Sequence, residues 1–162
     1  DNKSKWFVSN EAFDQLIKLR FSDIYEQAIQ RKLSSWDESP KTILALIIIL
    51  DQFPRNMFRD SPLSFASDKQ ALEYTKHALS QNFDKELPSD EMRHFLYMPL
   101  MHSENIEDQI LSVDSFSSMP HILPYAQQHM DVIKRFGRFP TRNKALSRNS
   151  TLEEIKLLQE SN

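Results

Sequence analysis

Ser39–Phe53, SPKTILALIIILDQF, admits two readings, and the choice between them decides the fold. An unbroken apolar run fits either a strand buried on both faces or a helix buried all round. Ser39 followed by Pro40 has the form of a cap with proline in the first helical turn, where its missing N–H is harmless. No other segment alternates in a way that would supply a partner strand, so a buried helix follows. Proline biases the residue before it away from the α region. The helix is therefore expected to stop near Gln52, ahead of Phe53 and Pro54, with PRNMFRDSP as a connector. The apolar run from Ile43 ends at Asp51, short of the roughly 20 residues that span a bilayer. No membrane association is expected.

Helical spacing continues on both sides of this segment. Phe13, Ile17, Phe21, Ile24 and Ala28 recur at three- and four-residue intervals after Ser9, a candidate N-cap, with a kink expected near Ser22. A third helix is expected from Phe65 to Leu79, with Asn82 in the left-handed position beyond its end. A fourth should run from Ser89 to Tyr97 and stop before Pro99. Ile106, Ile110 and Val113 mark a fifth, entered through Ser103 as a cap, and SSMPHILP reads as a loop. Tyr125, His129, Val132, Ile133 and Phe136 form the sixth stripe, and Gly137 follows where a left-handed C-cap belongs. Ser150 and Glu153 have the spacing of a capping box, opening a last helix with Leu152, Ile155 and Leu158 on its apolar face. The expectation is one all-α domain of about seven helices over residues 1–162.

Composition excludes several kinds of chemistry. The 162 residues include no cysteine, which removes thiol nucleophiles and cysteine-based metal sites and fits a reducing compartment, the cytoplasm by default. With a single glycine, neither a glycine-rich phosphate loop nor a dinucleotide fingerprint can be built. No residue pattern calls for a cofactor, and none matches a metal motif such as H-E-x-x-H.

Cations are segregated. Between Asp131 and Glu153 there is no acid, yet Lys134, Arg135, Arg138, Arg142, Lys144 and Arg148 lie there, in a chain of net charge −3. Such a field attracts anions. Gly137 and Pro140 stiffen the turn carrying Arg138 and Arg142, which suits bidentate contact to an oxyanion. Arg55, just after Pro54, adds a third fork if the two turns lie side by side. Asn56 and Asn143 are placed to satisfy the turns or to join the site. Asp51, at the end of the apolar run, is either the first solvated position or a buried carboxylate in need of an arginine. His102 and Glu104, in HSE, are acid–base candidates in a loop, while His129, on the apolar stripe, reads as a core histidine. Arginines interleaved with aromatics suit nucleic acid, but the negative net charge and the lack of any nucleic-acid motif make that partner unlikely.

Four stretches, WFVSNEAFDQLI from Trp6, DQFPRNMFRDSPLSFASD from Asp51, MPLMHSENIEDQ from Met98 and RFGRFPTRNKALSRNSTLEE from Arg135, occur in order along nearly the whole chain. Together they resemble the bacterial family of domain of unknown function 924. The resemblance implies a compact helical fold of the tetratricopeptide-like class and no established activity. A 34-residue repeat is not readable, since Phe53 and Phe139 are 86 positions apart. Positions that recur in the family correspond to Asp51, Gln52, Phe53, Pro54, Arg55, Asn56, His102, Glu104, Gln109, His129, Phe136 to Pro140, Arg142 and Asn143. The chain departs at Thr141, where the family has histidine, and at Asn82 and Ser147, where it has glycine.

Three functional readings follow. In the first, a binding module grips a small anionic ligand or an acidic peptide end through Asp51, Gln52, Arg55, Asn56, Arg138, Arg142 and Asn143. In the second, a hydrolase or phosphoryl-group enzyme uses His102 or Glu104 as acid–base, with Arg138 and Arg142 stabilising developing charge. In the third, all of these residues are structural.

Overall fold

The computed structural model describes residues 10–160. Among them are eight α-helices and no strand: α1 Glu11–Ile29, α2 Pro40–Met57, α3 Asp68–Ser80, α4 Phe83–Glu86, α5 Asp90–His102, α6 Ile106–Ser115, α7 Leu123–Phe136 and α8 Leu152–Glu160. The all-α reading holds, and the decisive segment is the central helix. Ile43, Leu46, Ile47 and Leu50 of α2 have no exposed surface, because α1, α3 and α5 surround it. Next, α6 packs on α5, and α7 on α6.

The second helix does not stop at Gln52. It continues through Pro54 to Met57, and the reason lies 17 residues away. Proline withholds the N–H that would bond the Leu50 carbonyl. The Ser67 hydroxyl donates to that carbonyl instead, at 2.5 Å, so the turn keeps its hydrogen bonding and the helix its course. The fourth expected helix likewise passes Pro99 and ends at His102. Close to the proline the Thr75 hydroxyl donates to the Leu96 carbonyl at 2.9 Å, one residue past the Phe95 carbonyl whose amide donor Pro99 removes. Beyond the proline, the Gln109 amide donates to the carbonyls of Met101 (2.8 Å) and Ser103 (2.7 Å), closing the helix end. His102 is thus the last residue of a helix, not part of a loop.

Caps are displaced by short steps. Ser9, with Trp6, lies outside the described residues, and Asn10 caps α1 by accepting from the Phe13 N–H at 3.1 Å. The helix runs unbroken through Ser22. The third expected helix is preceded by a 3₁₀ turn, Pro62–Phe65, and begins at Asp68. Asn105, not Ser103, caps α6, accepting from Glu107 N–H at 2.7 Å, while the Ser103 hydroxyl donates to Asp108. Asn82 and Gly137 take the expected left-handed conformation, with φ of 58° and 69°.

The last capping box is one residue late. Thr151 N–H donates to Glu154 Oε2 (2.7 Å), and Glu154 N–H donates to Thr151 Oγ1 (3.2 Å). Glu154 consequently faces inward at 2 % exposure, while Leu152 and Ile155 of the expected apolar face are 80 % and 40 % exposed. Against the rest of the chain, α8 rests chiefly on the 3₁₀ turn Pro140–Arg142. No helix among the described residues is long and apolar enough to cross a membrane.

Candidate functional site

The C-terminal half of α2 supplies two charged residues that support the site from outside the cleft lining. Asp51 and Arg55, one helical turn apart, share a face, with Arg55 Nη1 3.4 Å from the Asp51 carboxylate. Asp51 is fully buried. It accepts from the Gln52 amide and, at 2.7 Å, from Nδ1 of His102 at the end of α5. An ionised carboxylate only accepts, so the imidazole carries its proton on Nδ1 when neutral. Nε2 then remains unprotonated, and it has no hydrogen-bond partner among the described residues.

Burial pushes the Asp51 carboxyl up, but the Arg55 charge and the contacts with His102 and Gln52 more than offset it. The group is held well below the usual carboxylate range. Burial, helped by Arg55, pushes His102 down, against the pull of Asp51. The pair at neutral pH is therefore a carboxylate and a neutral imidazole.

The two arginine-bearing turns do meet, through an acid that sequence reasoning passed over. Asp68, the first residue of α3, accepts from Arg55 Nη1 at 2.8 Å and Nη2 at 3.0 Å, and from Arg142 Nη1 at 3.3 Å. Arg142 also donates to the His102 carbonyl at 2.8 Å. Its guanidinium lies between the rings of Phe65 and Phe139, 4.7 Å from each centroid, an arrangement that fixes its plane. The signal for Asp68 was indirect: arginines in a stretch free of acids must find their carboxylates elsewhere in the chain.

Glu104 is committed to the architecture. It accepts from Arg148 Nη1 and Nη2 at 2.8 and 2.9 Å, and from the Phe139 N–H at 2.8 Å. Burial pushes its carboxyl up, but Arg148 and the Phe139 N–H outweigh it and leave the group below its ordinary range.

Three expected site residues stand apart. Arg138 donates to Glu154 (2.7 and 2.9 Å) and to the Asn149 carbonyl, and the Asn143 amide donates to Ser150 and Glu154. These bonds fasten α8, and Arg138, aided by the Thr151 N–H, holds the Glu154 carboxyl down to about 2. Asn56 donates to Asp14, which Arg59 also binds in a bidentate pair. The remaining cations of the acid-free stretch are dispersed: Lys134 lies 3.8 Å from Asp131, and Arg135 sits over Phe136. His129 is half-buried against Phe139, with Nδ1 bonded to the Tyr125 carbonyl.

Between α3, the end of α5 and the segment 142–148 opens a cleft of about 370 Å³. Its walls include Phe65, Asp68, Lys69, Leu72, Pro99, His102, Glu104, Arg142, Leu146 and Arg148. Among the described residues no cluster of three or more histidine or acidic side chains is gathered to hold a metal ion.

The family model for bacterial proteins of unknown function, DUF924, matches residues 1–162. The chain belongs to the DUF924 family. A protein of unknown function, ATU0120 from Agrobacterium tumefaciens, has a similar structure: TM-score 0.94 and 38 % identity, covering 98 % of this chain and 90 % of that one. No curated protein matches the chain. In this DUF924 member, Asn82 and Ser147 occupy left-handed positions, with φ of 58° and 54°. That is the backbone glycine takes most readily, and it accounts for the glycine expected there from the resemblance. Thr141, in the place of the family histidine, is exposed and lies outside the cleft wall.

Proposed function

We propose that the cleft is a catalytic pocket in which His102 is the general base of a hydrolytic reaction on a small anionic substrate. The observation that carries this is the His102 Nδ1 contact with a fully buried carboxylate, Asp51, at 2.7 Å, in a residue whose Nε2 is unpartnered and which lines a cleft. A carboxylate behind an imidazole fixes its tautomer and orientation and stabilises the imidazolium formed when Nε2 takes a proton. Water, attacking the substrate, would pass its proton to Nε2, which returns it to the leaving group. Arg142, held flat between two rings, is the cation placed to meet developing negative charge.

Of the acid–base candidates Glu104 has less support, since Arg148 and a backbone N–H already occupy its oxygens. The arginine-grip reading is weaker for a similar reason: Arg55, Arg138 and Arg148 are each bound to a carboxylate at 2.7 to 2.8 Å, whereas Arg142, 3.3 Å from Asp68, is held more loosely. The test is a panel of p-nitrophenyl esters and phosphates offered to the wild type and to His102→Gln. Turnover in the wild type should fall by about 10²- to 10⁴-fold in the variant, while its thermal unfolding remains cooperative. Equal turnover in the two proteins would remove His102 from the mechanism.

A further inference from the structure

The charge pattern of the cleft bears on what it takes. Five charged side chains line it: Asp68 and Glu104 against Lys69, Arg142 and Arg148. Four of the five are engaged. Arg148 and Glu104 form a closed bidentate pair, and Asp68 is shared between Arg142 and Arg55. Lys69 is exposed and has no side-chain partner among the described residues. The wall therefore offers one unmatched positive charge, and the other four charges cancel in pairs and leave no second one for a further negative charge. The rest of the lining is His102 and Ser103 together with four apolar residues, Phe65, Leu72, Pro99 and Leu146. At about 370 Å³ the space is near the small end of the range for ligand clefts, roughly 300–1,000 Å³.

We infer that the cleft accepts an amphipathic monocarboxylate, its carboxylate on Lys69 and its hydrocarbon body against Leu72, Pro99 and Leu146, and that it discriminates against polyphosphates. This rests on the reading of the cleft as a substrate pocket and names the substrate class. A single charge is satisfied by Lys69 alone, whereas the second and third charges of a nucleotide would find only cations already paired with Asp68 and Glu104. An apolar body buries surface that a free phosphate leaves wet, so affinity should grow with chain length until the cleft is full.

The experiment measures affinities by calorimetry and by amide chemical shifts, with butanoate, hexanoate, hexanol, inorganic phosphate and ADP as probes. Hexanoate should bind more tightly than butanoate by about fourfold per added methylene and at least tenfold more tightly than hexanol. Shifts should centre on Lys69, Leu72 and Leu146, and phosphate and ADP should bind more weakly than hexanoate. Lys69→Met, a change at an exposed position, should weaken hexanoate about tenfold and leave hexanol unchanged.

Tighter binding of ADP or phosphate than of hexanoate would overturn the inference. So would equal binding of hexanol and hexanoate, an unchanged affinity in Lys69→Met, or no binding by any probe. These affinities are read without turnover, so the inference and the role of His102 fail separately. Hexanoate binding as described, alongside undiminished turnover in His102→Gln, would keep the ligand class and discard the base.

Discussion

Two opposing influences act on the His102 imidazole: burial and the nearby Arg55 disfavour its charged form, and Asp51 favours it. The balance falls on the neutral side. A histidine whose folded value lies below its unfolded value of about 6.5 binds fewer protons in the native state. Its contribution to stability is complete above that pH and is lost as the pH falls toward the folded value. His94 and His129 are pushed down as well, in both cases chiefly by burial, and add the same sign. Thermal unfolding followed from pH 7.5 to pH 5 should therefore show falling stability below about pH 6.5. His102→Gln should flatten part of that slope, and an identical slope in the variant would place the titration elsewhere. The sequence disclosed much at this scale. Asp51 was readable as a buried carboxylate in want of an arginine, and Arg55 supplies one. Asp68 was not readable, because its two arginines are 13 and 74 residues away and no local pattern encodes a partner at such distances.

Helix ends show why elements were less legible than their number. Both prolines expected to stop a helix lie within one; at Pro54 the Ser67 hydroxyl takes the carbonyl the ring leaves without a donor, and near Pro99 the Thr75 hydroxyl takes the next carbonyl along, that of Leu96. Local rules describe what proline denies its own helix, and tertiary contacts decide whether something else supplies it. The Ser67–Leu50 bond is open to a double-mutant cycle. Ser67→Ala leaves the buried Leu50 carbonyl unsatisfied and should cost about 1–3 kcal/mol in urea unfolding. In a Pro54→Ala background an amide N–H is restored beneath that carbonyl, and the cost of Ser67→Ala should fall by half or more. Strictly additive effects would mean that the hydroxyl does not stand in for the missing donor. The same reasoning explains α8. A capping box offset by one residue turned Glu154 inward and left Leu152 in solvent, which the apolar spacing of that segment could not reveal.

Across the whole molecule, the cleft is drawn together by ion pairs between distant parts of the chain, with the hydrophobic core behind them. Asp68 is the shared partner of Arg55 and Arg142, and all three side chains are largely withdrawn from solvent, at 19 %, 22 % and 13 % exposure. Asp68→Asn leaves two guanidinium groups short of a counter-charge and should destabilise by about 3 kcal/mol, in the lower part of the range for a broken buried pair. Chemical denaturation would measure it, and a loss below 0.5 kcal/mol would show that Asp51 and the backbone carbonyls suffice. The order of the parts along the chain has a consequence for biosynthesis. A ribosome delivers Asp51, Arg55 and Asp68 first, then His102, and Arg142 and Arg148 last of these. The nascent chain can form α2 and its neighbours while the cleft still lacks a wall, with Arg55 alone available to neutralise the two acids beside it. The cleft has all its walls only once Arg142 and Arg148 have been made, so a product cut short before them would carry the core of this protein without its pocket.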